Sequence, residues 1–190
     1  QRRNECCLQS AREIEQIYPQ FRTEQALEYA KDSGVLFKSG IMQALCELGL
    51  AEGIYGEEYH RLFGWEPRGI VLHSPEYVPV REVLATAKAS GGAVVFAHPT
   101  VYKSMPLVRE LAAEGAIDGI EVDHPSNSPE DRAECVQLCR EYGLVPTAGT
   151  DFHGRNHKVP HPIGTCTTPD ETVTRLQEIA RKRGGGNGTR

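Results

Sequence analysis

Three short stretches carry side chains able to bind metal or move protons: Ala97-His98-Pro99, Glu121-Val122-Asp123 and Gly149-Thr150-Asp151-Phe152-His153-Gly154. In the last, Asp151 and His153 stand two apart, so on an extended chain they point the same way. A carboxylate oxygen and an imidazole nitrogen aimed at one point suit a divalent cation such as Zn, Mn or Fe. Gly149 and Gly154 let the backbone turn or approach closely there. A bare Asp-x-His also reads as a capping aspartate beside a surface histidine. The elements behind the stretches decide between these readings.

Each stretch follows a short apolar run. Ala93–Ala97 is continuously apolar and reads as a strand buried on both faces, ending in His98-Pro99. Gly119–Asp123 reads as the second strand and Leu144–Thr150 as the third. Helix signals lie around them. Pro79 opens a helix through Ala89, which Gly91-Gly92 stops, and Pro106 opens Leu107–Glu114, closed by Gly115. Ser128-Pro129-Glu130-Asp131 supplies a cap, a first-turn proline and acids for a helix running to Tyr142 and Gly143. Thr168-Pro169-Asp170-Glu171 repeats that start for a last helix to about Lys182. This alternation predicts an α/β fold with a parallel sheet and right-handed crossovers. Such folds place chemistry at the carboxyl ends of strands, where all three stretches fall.

By alternation Val94, Phe96 and His98 share one face of the first strand. Glu121 and Asp123 share a face of the second, opposite Ile120 and Val122. If helices cover the apolar pair, the acids face inward and need a partner, either a metal or a metal-bound histidine. Asp123 also reads as a cap or turn residue beside His124-Pro125. His124 falls on the face away from the acids and is taken as an ordinary histidine, as are His60 and His73. After the third strand come Arg155, His157, Lys158 and His161, in a loop that Gly154 and Pro160 keep from being helical. A cationic loop beside a metal site suits a phosphate, and Lys103, just past His98, has the same potential. A merely solvated charged loop is the other reading.

Residues 1–76 show helix signals and no strand pattern. Arg12–Tyr18 stops at Pro19; Thr23 can cap Glu24–Lys31, which Gly34 ends; Ser39 can cap Ile41–Leu48; Glu57–Phe63 closes at Gly64. The expected organisation is a helical subdomain over 1–76, an α/β portion over 77–183 and a disordered Gly-rich tail over 184–190.

Composition narrows the function classes. With 190 residues and 39% apolar content, one domain with a small appendage is expected. A net charge of −5 argues against a broad nucleic-acid surface, though not against one nucleotide in a locally basic pocket. No apolar run reaches the roughly 18 residues of a membrane span, so no membrane partner is expected. The N-terminus is too polar for a signal peptide. None of the six cysteines forms a Cys-x-x-Cys pair, which suits free, mostly buried thiols and a cytoplasmic location. The chain lacks an initiator Met and reads as a processed or trimmed piece.

Ala97-His98-Pro99, Gly119-Ile120-Glu121-Val122 and Gly149-Thr150-Asp151-Phe152-His153-Gly154, in this order and spacing, resemble the polymerase-and-histidinol-phosphatase (PHP) family. The nearest branch resembles its stand-alone metal-dependent phosphoesterases. Residues 35–50, ending in Leu45-Cys46-Glu47-Leu48-Gly49, resemble the helical insertion of that branch, and the likeness covers about residues 20–180. The resemblance implies a distorted (β/α)7 barrel with two or three divalent metal ions (Zn, Mn or Fe). It implies metal-ligand roles for His98, Asp151 and His153, with Asp151 and His153 also catalytic, and Glu121 and Asp123 as supporting or additional ligands. The family's other ligands come from an N-terminal half bearing a His-x-His motif, and this sequence contains none. The chain therefore resembles the C-terminal portion of such an enzyme. Its expected partner is the missing half of its own domain or, failing that, another copy along an exposed strand edge. The implied reaction is hydrolysis of a small phosphorylated substrate, such as a nucleotide or a short nucleic-acid end. Metal-activated water would attack phosphorus and a histidine would protonate the leaving alkoxide. The isolated chain is expected to be a poor catalyst. Two other readings remain: a metal-dependent amidohydrolase or deaminase, and a non-catalytic metal-binding module.

Overall fold

The computed structural model describes residues 2–153 and 161–184. They divide into two compact units. The first holds residues up to Tyr77 together with His153; the second holds Val78–Phe152 and the residues from His161 on.

The described part of the first unit contains helices and no strand: α1 (Arg2–Ile17), α2 (Thr23–Leu27), a 3-10 turn (Glu28–Ala30), α3 (Lys38–Glu47) and α4 (Glu57–Phe63). Its core joins Ile14, Phe21, Leu36, Ile41, Met42, Leu45, Leu62 and Phe63, all essentially inaccessible to water. Ile41 and Leu45 lie one turn apart on the same stripe of α3. Three helix starts differ from the sequence expectation. α1 begins well before Arg12, because Cys7, Ser10 and Ala11 are buried along with Ile14. Thr23 is not the cap of α2; its N–H donates to Glu15 Oε1 at 2.6 Å, while the Arg22 N–H donates to Gln25 Oε1 at 2.7 Å. Ser39 lies inside α3, whose cap position is Phe37.

The second unit runs α5 (Val80–Ala89), β1 (Val95–Phe96), α6 (Met105–Ala113), β2 (Gly119–Asp123), α7 (Pro129–Tyr142), β3 (Val145–Ala148) and α8 (Asp170–Gly184). The strands form a parallel sheet in the order β1-β2-β3. Parallel neighbours need a crossover, and α6 and α7 supply the two. α7 follows its sequence signals closely: the Ser128 hydroxyl accepts the Asp131 N–H at 3.0 Å, and Gly143 at φ 66° ends the helix in the left-handed region. Gly184, expected in the disordered tail, is the last residue of α8; the rest of that tail lies outside the described residues.

The core of this unit packs Ile120 and Val122 of β2 with Val108, Leu111, Ile117, Cys135 and Leu138. Full burial of one such aliphatic side chain contributes about 1.5–3 kcal/mol. The first strand is not the doubly buried run Ala93–Ala97. Among the described residues only Val95 and Phe96 pair, and Val94 to Phe96 are half-buried, because β1 has a neighbouring strand there on one side alone. Its entry is secured by Asp118, whose Oδ2 accepts the Val94 N–H at 2.7 Å. The Arg183 guanidinium donates to both Asp118 oxygens, at 2.5 and 2.6 Å, and to the Gly92 carbonyl at 2.7 Å. The end of α8 is thereby tied to the starts of β1 and β2. Among the described residues no helix is long and apolar enough to cross a membrane.

Candidate active site at the carboxyl ends of the strands

Beyond the ends of β1 and β3 the backbone adopts conformations that L-residues seldom take. His98 has φ 26° and Asp151 φ 50°. Non-glycine residues held there cost of order 1–3 kcal/mol each and cluster at functional sites.

Glu121 links the strand ends. Its Oε2 accepts the His98 N–H at 2.8 Å. On its other side the Gly149 backbone approaches so closely that a Cβ there would sit 2.3 Å from Glu121 Oε1. Glycine at 149 thus leaves room for the carboxylate that orients His98. Asp123, expected beside Glu121 on one face, has different partners. The sheet register shifts between the two acids. Asp123 Oδ1 lies 3.2 Å from Arg132 Nη2 and accepts from the Cys166 thiol at 3.8 Å. Burial and the neighbouring Asp123 push that thiol's pKa up.

His124 is the residue that sequence reasoning missed. Alternation placed it away from the acids, but β2 ends at Asp123 and the alternation ends with it. The turn that follows brings the His124 ring to 5.2 Å from the His98 ring, centroid to centroid. His124 is only 6% exposed. Its Nδ1 accepts the Ser126 N–H at 3.0 Å. Its Nε2, like Nδ1 of His98, is buried without a hydrogen-bond partner among the described residues. A buried polar atom left so costs about 1–3 kcal/mol, a burden that functional sites carry. Burial is the main influence lowering the His124 pKa; Glu121 and Asp151 pull the other way without prevailing, and His98 and His161 add to the lowering. The available signal was a histidine directly after two acids at a strand end.

The structure therefore gathers His98, His124 and Glu121, with Asp151 near enough to act on the charge of His124. His153 is exposed and groups with the first unit. Lys103 is exposed at φ 52°. Arg155, His157 and Lys158 lie outside the described residues. An imidazole nitrogen without a partner, such as His98 Nδ1, beside carboxylates is the donor type a divalent cation takes. Among the described residues, however, no three His, Cys, Asp or Glu side chains are grouped to hold a metal ion. The donor chemistry fits; the described arrangement does not by itself complete a site.

No protein-family model matches the chain. In sequence it is 36% identical over 138 residues to phosphoribosyl 1,2-cyclic phosphate 1,2-diphosphodiesterase of Eggerthella lenta, a match spanning 73% of this chain and 52% of that protein. It is 31% identical over 83 residues to the 5'-3' exoribonuclease Rnm of Escherichia coli, spanning 42% of this chain and 28% of that enzyme. The chain thus spans about half the length, or less, of the curated relatives it matches. Among solved structures, a Bifidobacterium adolescentis protein described by inference as a metal-dependent phosphoesterase aligns with TM-score 0.78 and 24% identity, over 94% of this chain and 63% of that one. An amidohydrolase from Chromobacterium violaceum, solved with bound sulfate and no metal, aligns with TM-score 0.64 and 19% identity, over 93% and 63%. The structures share the α/β fold. By sequence, the relatives are enzymes named for hydrolysing phosphodiester bonds.

Proposed function

We propose that this chain carries one side of the active site of a metal-dependent phosphoesterase acting on a small phosphorylated substrate, such as a nucleotide or a nucleic-acid end. The observation that carries the reading is the pair of imidazoles, His98 and His124, with unpartnered buried nitrogens at the carboxyl ends of a parallel sheet. The diphosphodiesterase and exoribonuclease relatives support the substrate class. His98, Asp151 and His153 would hold the metal, which when bound supplies a polarised phosphoryl oxygen and a more acidic water. Glu121 orients His98 through its backbone. Arg155, His157, Lys158 and Lys103 would neutralise substrate charge, with Asp123 held in reserve by Arg132.

The sheet is proposed to continue into a barrel with another part of the same domain. β1 is an edge strand, α5 buries none of its residues, and the chain spans 63% of each structural neighbour. Six unpaired cysteines suit a reducing, cytoplasmic setting.

The test assays the full-length protein with Mn2+ or Zn2+ against nucleoside monophosphates, bisphosphates, cyclic phosphates and short 5′-phosphorylated oligonucleotides. The expected result is metal-dependent release of phosphate or nucleotide that Asp151→Asn abolishes together with metal retention. A blank panel beside hydrolysis of carbonyl-type amide substrates would establish the amidohydrolase reading instead. The 190-residue chain alone is expected to be inactive. Turnover equal to that of the full-length protein would show the site here to be complete.

A further inference from the structure

The two imidazoles of the site are held differently, and the difference assigns them different tasks. His124 Nδ1 accepts a backbone N–H, that of Ser126, at 3.0 Å. A ring nitrogen that accepts carries no proton, so the ring is neutral and its single proton sits on Nε2. A protonated ring would set two N–H groups against each other. Metal-binding histidines show the opposite pattern: the nitrogen away from the metal donates, to a carboxylate or a carbonyl. The Ser126 N–H therefore fixes His124 as an Nε2 donor, and Nε2 could take a cation only by losing that proton.

This donor is buried, has no acceptor among the described residues and stands beside His98. The charged groups that act on it are Glu121, His98, Asp151 and His161. Of these, Glu121 places Oε2 on the His98 N–H, and its carboxylate forms no hydrogen bond with His124 Nε2. With no acceptor among the described residues, a ligand oxygen can supply one, and the donor favours an oxygen bearing negative charge.

We infer that His124 is a substrate-contact residue: a neutral imidazole, fixed as an Nε2–H donor, that holds a non-bridging phosphoryl oxygen and does not ligate metal. This rests on the phosphoesterase reading and adds to it a residue with a defined hydrogen-bonding state. His98 remains the ligand-type histidine of the pair.

The experiment uses the full-length protein, with His124→Leu, which removes the donor, and His124→Gln, which returns an N–H near the same reach. Imidazole 15N spectra of the unsubstituted protein should show the Nε2–H tautomer for His124, with a shift of that resonance on adding inorganic phosphate. His124→Leu should keep the normal metal content. It should bind inorganic phosphate about 10- to 100-fold more weakly and lose about 10²-fold in kcat/KM on the phosphoester substrate. His124→Gln should recover part of both. An Nδ1–H tautomer, metal loss in His124→Leu equal to that in Asp151→Asn, or unchanged phosphate affinity would each overturn the inference. The parent reading fails separately. If the unsubstituted protein hydrolyses no phosphate ester, phosphoesterase function is refuted. If it does and His124→Leu matches it, only the role of His124 is refuted. The spectra need no substitution, so a variant that folds poorly leaves the inference testable.

Discussion

Gly149→Ala perturbs the site without replacing any of its proposed ligands. The new methyl carbon would stand 2.3 Å from Glu121 Oε1. Carbon and oxygen settle at about 3.4 Å, so the carboxylate must retreat by roughly 1 Å. Its Oε2 now accepts the His98 N–H at 2.8 Å. The same retreat would open that contact to roughly 3.8 Å, beyond a hydrogen bond. A bond to a charged acceptor contributes about 1.5–3 kcal/mol; for a half-buried glutamate the lower end, about 1–2 kcal/mol, is appropriate. That corresponds to roughly tenfold faster native-state exchange of the His98 amide, read by NMR. Urea unfolding followed by circular dichroism should show a matching drop. In a Glu121→Ala background, Gly149→Ala should add little, since the bond is already gone. An unchanged His98 exchange rate and urea midpoint in Gly149→Ala would refute the reasoning. Gly119→Ala gives the contrast: its methyl would meet the Val145 carbonyl at 2.5 Å, and strand backbone cannot step aside as a side-chain end can. It should cost distinctly more than Gly149→Ala.

Further predictions follow from the framework of the second unit. Burial alone would raise the Asp118 pKa, but the Arg183 guanidinium and the Val94 N–H outweigh it and hold the carboxyl below its ordinary value. The pair therefore stabilises the fold above the unfolded pKa, about 3.9, and that stabilisation is lost as pH falls through the lower folded value. Urea midpoints of the unsubstituted chain and of Asp118→Asn should differ above about pH 4 and converge in more acid solution. Burial pushes the Cys135 thiol up to about 12 and Cys139 up to about 11. Iodoacetamide at pH 8 should label both only after unfolding, while the half-exposed Cys46 reacts in the native chain, as peptide mass mapping would show. Ser128→Ala removes the α7 cap and should cost about 1 kcal/mol in thermal melts. Gly143→Ala should cost a similar amount, about 1 kcal/mol, from backbone strain alone, as no atom crowds the new methyl.

What could be read from the sequence was what local chemistry dictates. The ends of α7 and the span of β2 follow from Ser128, Pro129, Gly143 and an apolar alternation, and the structure keeps them. The lengths of β1 and β3 were overread, because apolar runs do not say which residues find a neighbour to pair with, and β1 has one on a single side. Within the site, His98 and Glu121 were visible as strand-end donors. Their relation was not, since it is the His98 backbone, not its ring, that Glu121 holds. His124 was missed because the two-residue rule was carried one position past the end of β2. The separate partners of Asp123 depend on a register shift and on Arg132, a turn further on in α7, neither of which has a signature in the linear chain.

The slight pairing of β1 also bears on how the chain folds. β2, α7 and β3 are consecutive, so their docking closes only a short loop and can nucleate early. β1 joins this nucleus through the short stretch Val94–Phe96, and the Arg183 link can close only once the C-terminal helix has docked. His98 then depends for its place on the docking of β1 and on Glu121. Partly folded chains would carry β2 with Glu121 and His124 but no assembled pocket. A ligand that needs both histidines binds the finished fold alone, and by mass action it should slow unfolding of the whole second unit, holding its least secured strand in place.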